Sequence, residues 1–314
     1  MEQIYIGVDV SKDTLDISAY PSKQIWQYKN IPKGIAKTVA KLKLLNPKLI
    51  VMEATGGLEK PLSEALHESG LPVAVINPRR IRDFGRAMGL LAKTDKLDAQ
   101  AIAYFAAKIE PAPRPGADEA SQKLERLVTR REQLSEMVTA EKNRLKQSKD
   151  ELIRCQIKEH IAWLEFEIKG LERGLKENLQ QNPAALAKFN LYRSMPGVGH
   201  ILSYSLVAEL GELGCLNQRE IAALVGLAPF NRDSGHYRGK RTIWGGRARV
   251  RKALYMPVLA AIRCNAVIRS VYQRLIARGK LHKVALVACM HKMLTILNSM
   301  AKNNNPWRCA ETMT

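Results

Sequence analysis

Three apolar runs follow one another at the start of this chain before any helical period begins, and that order constrains the fold more than any single residue. IYIGVDV reads as a buried strand, and LDISAY and QIWQYKN as two more. A helical stretch, GIAKTVAKLKLL, then precedes a fourth strand, LIVMEA. LEKPLSEALHESG follows as a helix, PVAVINP as a fifth strand, and KLDAQAIAYFAAK closes the block with apolar residues at helical spacing.

Consecutive strands followed by α/β alternation is the order of a ribonuclease-H-like mixed sheet. Four acids fall where such strands end or helices begin: Asp9 in IGVDVS, Glu53 in IVMEATGG, and Asp95 with Asp98 in KTDKLDAQ. Asp95 and Asp98 are three apart, so on a helix they project from one face. Asp9 and Glu53 are expected on adjacent strands facing that helix. Carboxylates gathered in this way repel unless a cation neutralises them, and hard cations such as Mg²⁺ take oxygen ligands. A DxxD pair taken alone is equally a solvated helix face or a cap. Asp13 and Asp16 read as cap and turn residues.

PAPRPGAD carries three prolines in a short span and cannot continue a helix, so it marks a linker. This gives an N-terminal domain over 1–112. Residues 118–169 hold no proline or glycine. Ile157, Ile161, Leu164, Ile168, Leu171 and Leu175 alternate spacings of four and three, a coiled-coil seam, and Leu127, Leu134, Val138, Leu145 and Leu152 make a looser one. The two seams differ in phase, so two helices are expected over 117–181; the alternative is an ordinary amphipathic pair. Asn182-Pro183 opens a mainly helical third region, 183–314, ending in a tail expected to fray.

The chain has 314 residues and carries 50 Lys plus Arg against 30 Asp plus Glu, a net charge of +20. That balance favours a polyanionic partner, nucleic acid first and an acidic membrane surface second. On this reading no apolar run approaches a membrane-spanning length of roughly 18 residues, and no basic, then apolar, leader is expected at the N-terminus, so a cytoplasmic protein is expected. The five cysteines are widely spaced without a CxxC and read as packing residues rather than a disulfide framework or zinc site.

The charge concentrates in NRDSGHYRGKRTIWGGRARVRKALY. There Arg232, Arg238, Lys240, Arg241, Arg247, Arg249, Arg251 and Lys252 stand against Asp233 alone. Ser234 in that field could approach a phosphodiester, with guanidinium groups stabilising the transition state and Gly235, Gly239, Gly245 and Gly246 allowing close backbone approach. The plainer reading is a turn in a basic loop, and Tyr237 is a rival nucleophile. Gly197 and Gly199 in MPGVGHILSYSLVAEL read as the turn of a helix-hairpin-helix element whose backbone amides hold a phosphate, or as a simple helix connector. Trp244 either stacks on bases or anchors its loop.

IGVDVSKDTLD, MEATGG, INPRRIRDFGRAMGLLAKTDKLDAQAIA, SMPGVGHILSYSLVAELGE, LVGLAPFNRDSGHYRGKR and RKALYMPVLAA, in this order along nearly the whole chain, resemble the DEDD transposases of the one-ten and eleven-eleven insertion-sequence families. The resemblance implies a RuvC-like domain, a coiled-coil middle and a C-terminal transposase domain with a catalytic serine. By position, the acidic tetrad falls on Asp9, Glu53, Asp95 and Asp98, holding Mg²⁺ (or Mn²⁺), and the serine on Ser234. It further implies recombination of donor and target DNA guided by a noncoding bridge RNA, in a bacterial cytoplasm at the nucleoid, by a homodimer that assembles to a tetramer with no membrane partner. The rivals are a metal-only RuvC-like nuclease using water and a non-catalytic nucleic-acid-binding scaffold.

Overall fold

A computed structural model of the protein describes residues 3–89, 95–113, 119–230, 233–234, 237–239 and 241–308; at 95–97, 233–234 and 237–238 it describes the backbone alone. The chain divides into two compact units, Met1–Ala117 and Asp118–Thr314.

In the first unit, β1 (Tyr5–Val10), β2 (Thr14–Tyr20) and β3 (Ile25–Lys29) come first. After them run α1 (Pro32–Leu45), β4 (Leu49–Glu53), α2 (Lys60–Glu68), β5 (Val73–Ile76), α3 (Pro78–Ala87) and α4 (Asp95–Ile109). Short turns join β1, β2 and β3, so they pair antiparallel. The helical crossovers α1 and α2 bring β4 and β5 back parallel. The resulting order, β3-β2-β1-β4-β5, is the ribonuclease-H-like arrangement expected from the sequence.

Alternation along the strands sorts the core into two layers. Ile6, Val8, Val10, Ile50 and Met52 pack with Ile35, Leu42, Leu62 and Leu66 on one face. Tyr5, Leu49, Val51, Ala74 and Ile76 pack with Ile81, Ile102, Phe105 and Ala106 on the other, beneath α3 and α4. Each of these large aliphatic or aromatic side chains contributes about 1.5–3 kcal/mol on burial. Gly7, on the α4 face, admits that helix at a distance no side chain would permit.

The second unit begins with α5 (Glu119–Gln147) and α6 (Glu151–Gln180). Arg131 bonds Glu172 at 2.9 Å and Lys142 bonds Glu165 at 2.7 Å, a descending register that only antiparallel helices give. Leu134, Val138 and Leu164 form their buried seam, while Asp150 caps α6 by accepting from the Ile153 amide at 3.1 Å. Leu152 departs from the expected seam. It stands in the first turn of α6, 72% exposed, because the helix has only just left the connecting turn.

Next come α7 (Pro183–Arg193), α8 (His200–Glu209) and α9 (Gln218–Val225), then the short strands β6 (Pro229–Phe230), β7 (Asp233–Ser234), β8 (Tyr237–Arg238) and β9 (Thr242–Ile243). Three helices close the unit: α10 (Ala248–Cys264), α11 (Ala266–Ala277) and α12 (His282–Asn303). The mainly helical third region turns sharply at Asn265, where α10 and α11 meet at 96°. Asn265 caps the new helix through the Val267 and Ile268 amides at 3.1 and 3.2 Å.

Three other expectations change. By length and composition α12 passes as a membrane span, contrary to the sequence reading, but Met290, Met293, Leu294 and Leu297 are buried in the core of the unit. Of the cysteines described, Cys289 alone packs in the interior; Cys155, Cys215 and Cys264 are exposed. The tail is tied down at Trp307, which packs on the core and donates its amide to the Ser194 hydroxyl at 2.8 Å.

Candidate active site

Val8 pairs with Met52 across the parallel β1/β4 ladder, so Asp9 and Glu53 are the next residues along the two strands and share a face. It is the face of Gly7, two residues before Asp9, over which α4 crosses. Asp98, Ile102 and Phe105 follow at helical spacing along α4, with Ile102 and Phe105 buried in the layer beneath it. Strand register and helix position thus bring Asp9, Glu53 and Asp98 together at the C-terminal edge of the parallel strands. Asp95 opens α4, and its side chain lies outside the described atoms.

The electrostatics reports the same grouping. Burial pushes the Glu53 carboxyl up to about 7, the charges of Asp9 and Asp98 push it the same way, and the Arg82 guanidinium on α3 opposes them. An all-carboxylate group under mutual repulsion suits a hard divalent cation in kind. Among the described residues no three His, Cys, Asp or Glu form a group that could hold a metal ion, and the side chain of Asp95, the fourth acid, is outside them.

A fifth acid was misread. Asp16 is no turn residue but is buried within β2 directly opposite Asp9, accepting from the Thr14 hydroxyl at 3.1 Å and the Gln27 amide nitrogen at 2.9 Å. The strand pattern LDISAY already contained it, and that was the signal to follow. Asp13 does sit in the turn, its carbonyl accepting from Asn30 at 2.9 Å.

In the second unit, the segment read as a basic loop is a pair of short antiparallel ladders. Pro229 pairs with Ile243 and Phe230 with Thr242; further along, Asp233 pairs with Arg238 and Ser234 with Tyr237. The serine and its rival tyrosine are therefore cross-strand neighbours. Arg232, Gly235, His236 and Lys240 lie outside the described residues, and the side chains of Ser234 and Arg238 are not described. Arg241, Trp244, Gly245 and Gly246 are exposed.

The remaining cations of that segment have partners inside the unit. Arg247 grips Glu212 with two nitrogens at 2.7 and 2.5 Å and donates to the Glu209 carbonyl at 2.6 Å. Arg249 bonds Glu132 at 2.9 Å, the Thr129 hydroxyl at 2.9 Å and Glu209 at 2.7 Å. Arg251 donates to the carbonyls of Val225 and Gly245 at 3.0 and 2.5 Å, and Lys252 is bonded to Glu136. Sequence reasoning missed these acids because Glu132 and Glu136 precede their partners by more than a hundred positions.

Gly197, at φ 96°, has Ala261 of α10 against it; a Cβ there would stand 2.5 Å from the Ala261 Cβ. Gly199 is the N-cap of α8, with no side chain satisfying the first amides. The turn joins helices, as read, and its first glycine is fixed by packing. A cavity of about 1110 Å³ opens beside it, lined by α5, α6, α8 and α10 and by none of the ladder residues.

Comparison with known proteins adds an independent line. Residues 6–152 match a DEDD, IS110-type family described as transposase, and residues 190–273 match one described as the transposase IS116/IS110/IS902 family. The pilin gene-inverting protein of Moraxella lacunata is 24% identical over 318 residues, spanning 98% of both chains. The transposase for insertion sequence element IS1111A of Coxiella burnetii is 25% identical over 262 residues, 74% of this chain and 70% of that one. Among solved structures, T. thermophilus RuvC in complex with a Holliday junction substrate matches 36% of this chain and 99% of its own, at 16% identity and a TM-score of 0.28. With two family matches in sequence order that together span most of the chain, the chain belongs to the IS110 family of DEDD transposases.

Proposed function

We propose that this transposase recombines DNA through a covalent serine intermediate, directed by a noncoding RNA that pairs with donor and target. The observation that carries the catalytic part is the grouping of Asp9, Glu53 and Asp98, with Glu53 raised to about 7 by burial and by its neighbours. Such a carboxyl is poised between its two forms near neutrality. Asp95 completes the set as the fourth acid. A divalent ion held by these carboxylates, Mg²⁺ or Mn²⁺, would supply charge stabilisation at the phosphate.

Ser234 is the nucleophile in this reading. Its hydroxyl oxygen attacks phosphorus, its proton leaves, and the ester bond to one deoxyribose oxygen breaks as that oxygen takes up a proton. A second strand's hydroxyl then attacks the phosphoserine, and the serine oxygen departs with a proton. One phosphodiester replaces another, so no external energy source is consumed. Arg232, Arg238, Lys240 and Arg241 are the cations proposed to meet phosphate, with Gly197 and Gly199 offering backbone amides. Arg247, Arg249, Arg251 and Lys252 hold the unit together and contribute to phosphate binding only where they exchange those partners. The family resemblance supports RNA guidance and a dimer that pairs into a tetramer.

The test uses the full chain, its element's flanking noncoding RNA and a paired donor and target. Denaturing electrophoresis of labelled DNA should reveal a protein-linked product with the wild type and none with Ser234→Ala, while Asp98→Asn abolishes cutting. Strand cleavage by Ser234→Ala at the wild-type rate would mean that water is the nucleophile. Recombination by Asp9→Asn and Asp98→Asn at wild-type rates would mean that the acids have no catalytic part. Recovery of random cellular RNA in place of one discrete RNA would remove the guided reading.

A further inference from the structure

The positive charge of the second unit divides into two populations. Between Asp233 and Glu311 the sequence contains no carboxylate side chain, so every cation in that stretch depends on acids from elsewhere. Two cations at the start of α10 find them: Arg249 and Lys252 reach Glu132 and Glu136 on α5, and Arg249 also reaches Glu209 on α8. At the turn between α11 and α12 none are found. Arg274, Arg278, Lys280 and Lys283 are all exposed, and among the described residues none has an ion pair or a side-chain hydrogen bond. Their neighbour Arg269 shows the contrast, since its guanidinium is taken up by the carbonyls of Ile262 and Arg263 at the end of α10.

The four also fall close together in the chain, between positions 274 and 283, on either side of one helix–helix turn. Arg274 lies in the last turn of α11 and Arg278 is its C-cap, Lys280 lies in the turn, and Lys283 lies in the first turn of α12. A single phosphate is served by convergent donors; several separate, solvated cations suit an extended polyanion, whose affinity comes from counterion release. We propose that the α11–α12 turn is a sequence-independent docking surface for the phosphate backbone of duplex DNA, separate from the ladder that carries Ser234. This rests on the reading of the protein as acting on DNA. The surface positions the duplex without reading bases, because nothing in it presents a planar bidentate fork fixed by neighbours.

The experiment compares the full-length wild type with Arg274→Gln/Arg278→Gln/Lys280→Gln/Lys283→Gln and with a charge-matched control, Lys29→Gln/Lys33→Gln/Lys37→Gln/Lys43→Gln, drawn from exposed lysines of the first unit. Binding to a random-sequence DNA duplex is measured over a salt series, with melting curves confirming that both variants fold. Each lost phosphate contact lowers the slope of log affinity against log salt by about 0.9, so the turn variant should lose up to about 3–4 units of slope while the control keeps the wild-type slope. Equal slopes for wild type and turn variant would overturn the surface alone. Equal losses for both variants would show only a long-range effect of net charge and overturn it too, as would a loss confined to structured RNA or to anionic phospholipid vesicles. Failure of the wild type to bind duplex at low salt would overturn the DNA-acting reading along with it.

Discussion

Gly7 of β1 lies against Ala103 of α4 so closely that a Cβ on the glycine would stand 2.2 Å from the Ala103 nitrogen and 2.4 Å from the Ala99 carbonyl oxygen. The contact is backbone to backbone, so no side chain can swing away to relieve it. Gly7→Ala must push α4 off the sheet, at a cost of about 1–3 kcal/mol. Asp98 rides on the same helix, so strand cleavage should fall further than stability does. A melting temperature equal to the wild type would show that the helix does not depend on this contact.

Glu53 gives a pH signature. Its carboxyl lies at about 7 in the folded protein against an ordinary value of 4.5, so between those values the folded state holds a proton that the unfolded state has released. Stability therefore falls as pH rises from about 4.5 to about 7 and the contribution is flat above that. In chelator, Glu53→Gln should remove this component, leaving the variant more stable relative to wild type at pH 8 than at pH 5. Parallel stability curves for the two proteins would contradict the raised carboxyl.

The same group predicts a metal effect. A divalent ion binding beside Glu53 favours its ionised form, so Mg²⁺ should raise the melting temperature of the wild type more at pH 8 than at pH 5. Asp98→Asn should shrink the shift. An equal response of wild type and variant would place the ion elsewhere.

Arg249 and Arg241 should separate stability from binding. Arg249→Ala leaves the largely buried Glu209 carboxylate and its partner Glu132 without their guanidinium, costing about 1–3 kcal/mol in denaturant unfolding. Arg241→Ala, at an exposed position beside β9, should stay within about 0.5 kcal/mol of wild type yet weaken DNA binding. Reversal of these two outcomes would mean that the internal pairs are dispensable.

Asn265 is a cap whose loss can be weighed. Asn265→Ala removes acceptors for two amides at the α10–α11 corner and should cost about 1 kcal/mol. Asn265→Asp should retain most of that, and equal melting of the alanine variant and wild type would count against the cap.

The strands of the first unit and the helices α1, α2 and α4 were legible because each lies in a local pattern: period two in IYIGVDV and LDISAY, helical spacing in KLDAQAIAYFAAK; α3, which follows β5 directly at Pro78, was not read. The grouping of three acids was legible for the same reason, since Asp9 and Glu53 sit at or next to a strand end and Asp98 lies in the first turn of α4. Asp16 was missed through reading residue type ahead of period. What local pattern cannot carry is pairing over distance. Nothing around Glu132 announces that it neutralises Arg249, and nothing in an Arg- and Gly-rich segment announces two ladders of two residues each. The break at Asn265 is an intermediate case, because an asparagine inside an apolar helical run is a cap signal that the surrounding hydrophobicity masked.

The ion pairs from α5 to α10 bear on how the protein can be taken apart. An αα-hairpin of some sixty residues invites excision or exchange as a spacer, yet Glu132 and Glu136 are the counter-charges of Arg249 and Lys252. Deleting it would not leave a smaller version of the remaining helices. It would leave them with two uncompensated cations and the Glu209 carboxylate competing for one of them. The hairpin and the C-terminal helices are thus obliged to vary together, and a chimera that replaces one must carry the matching charges of the other.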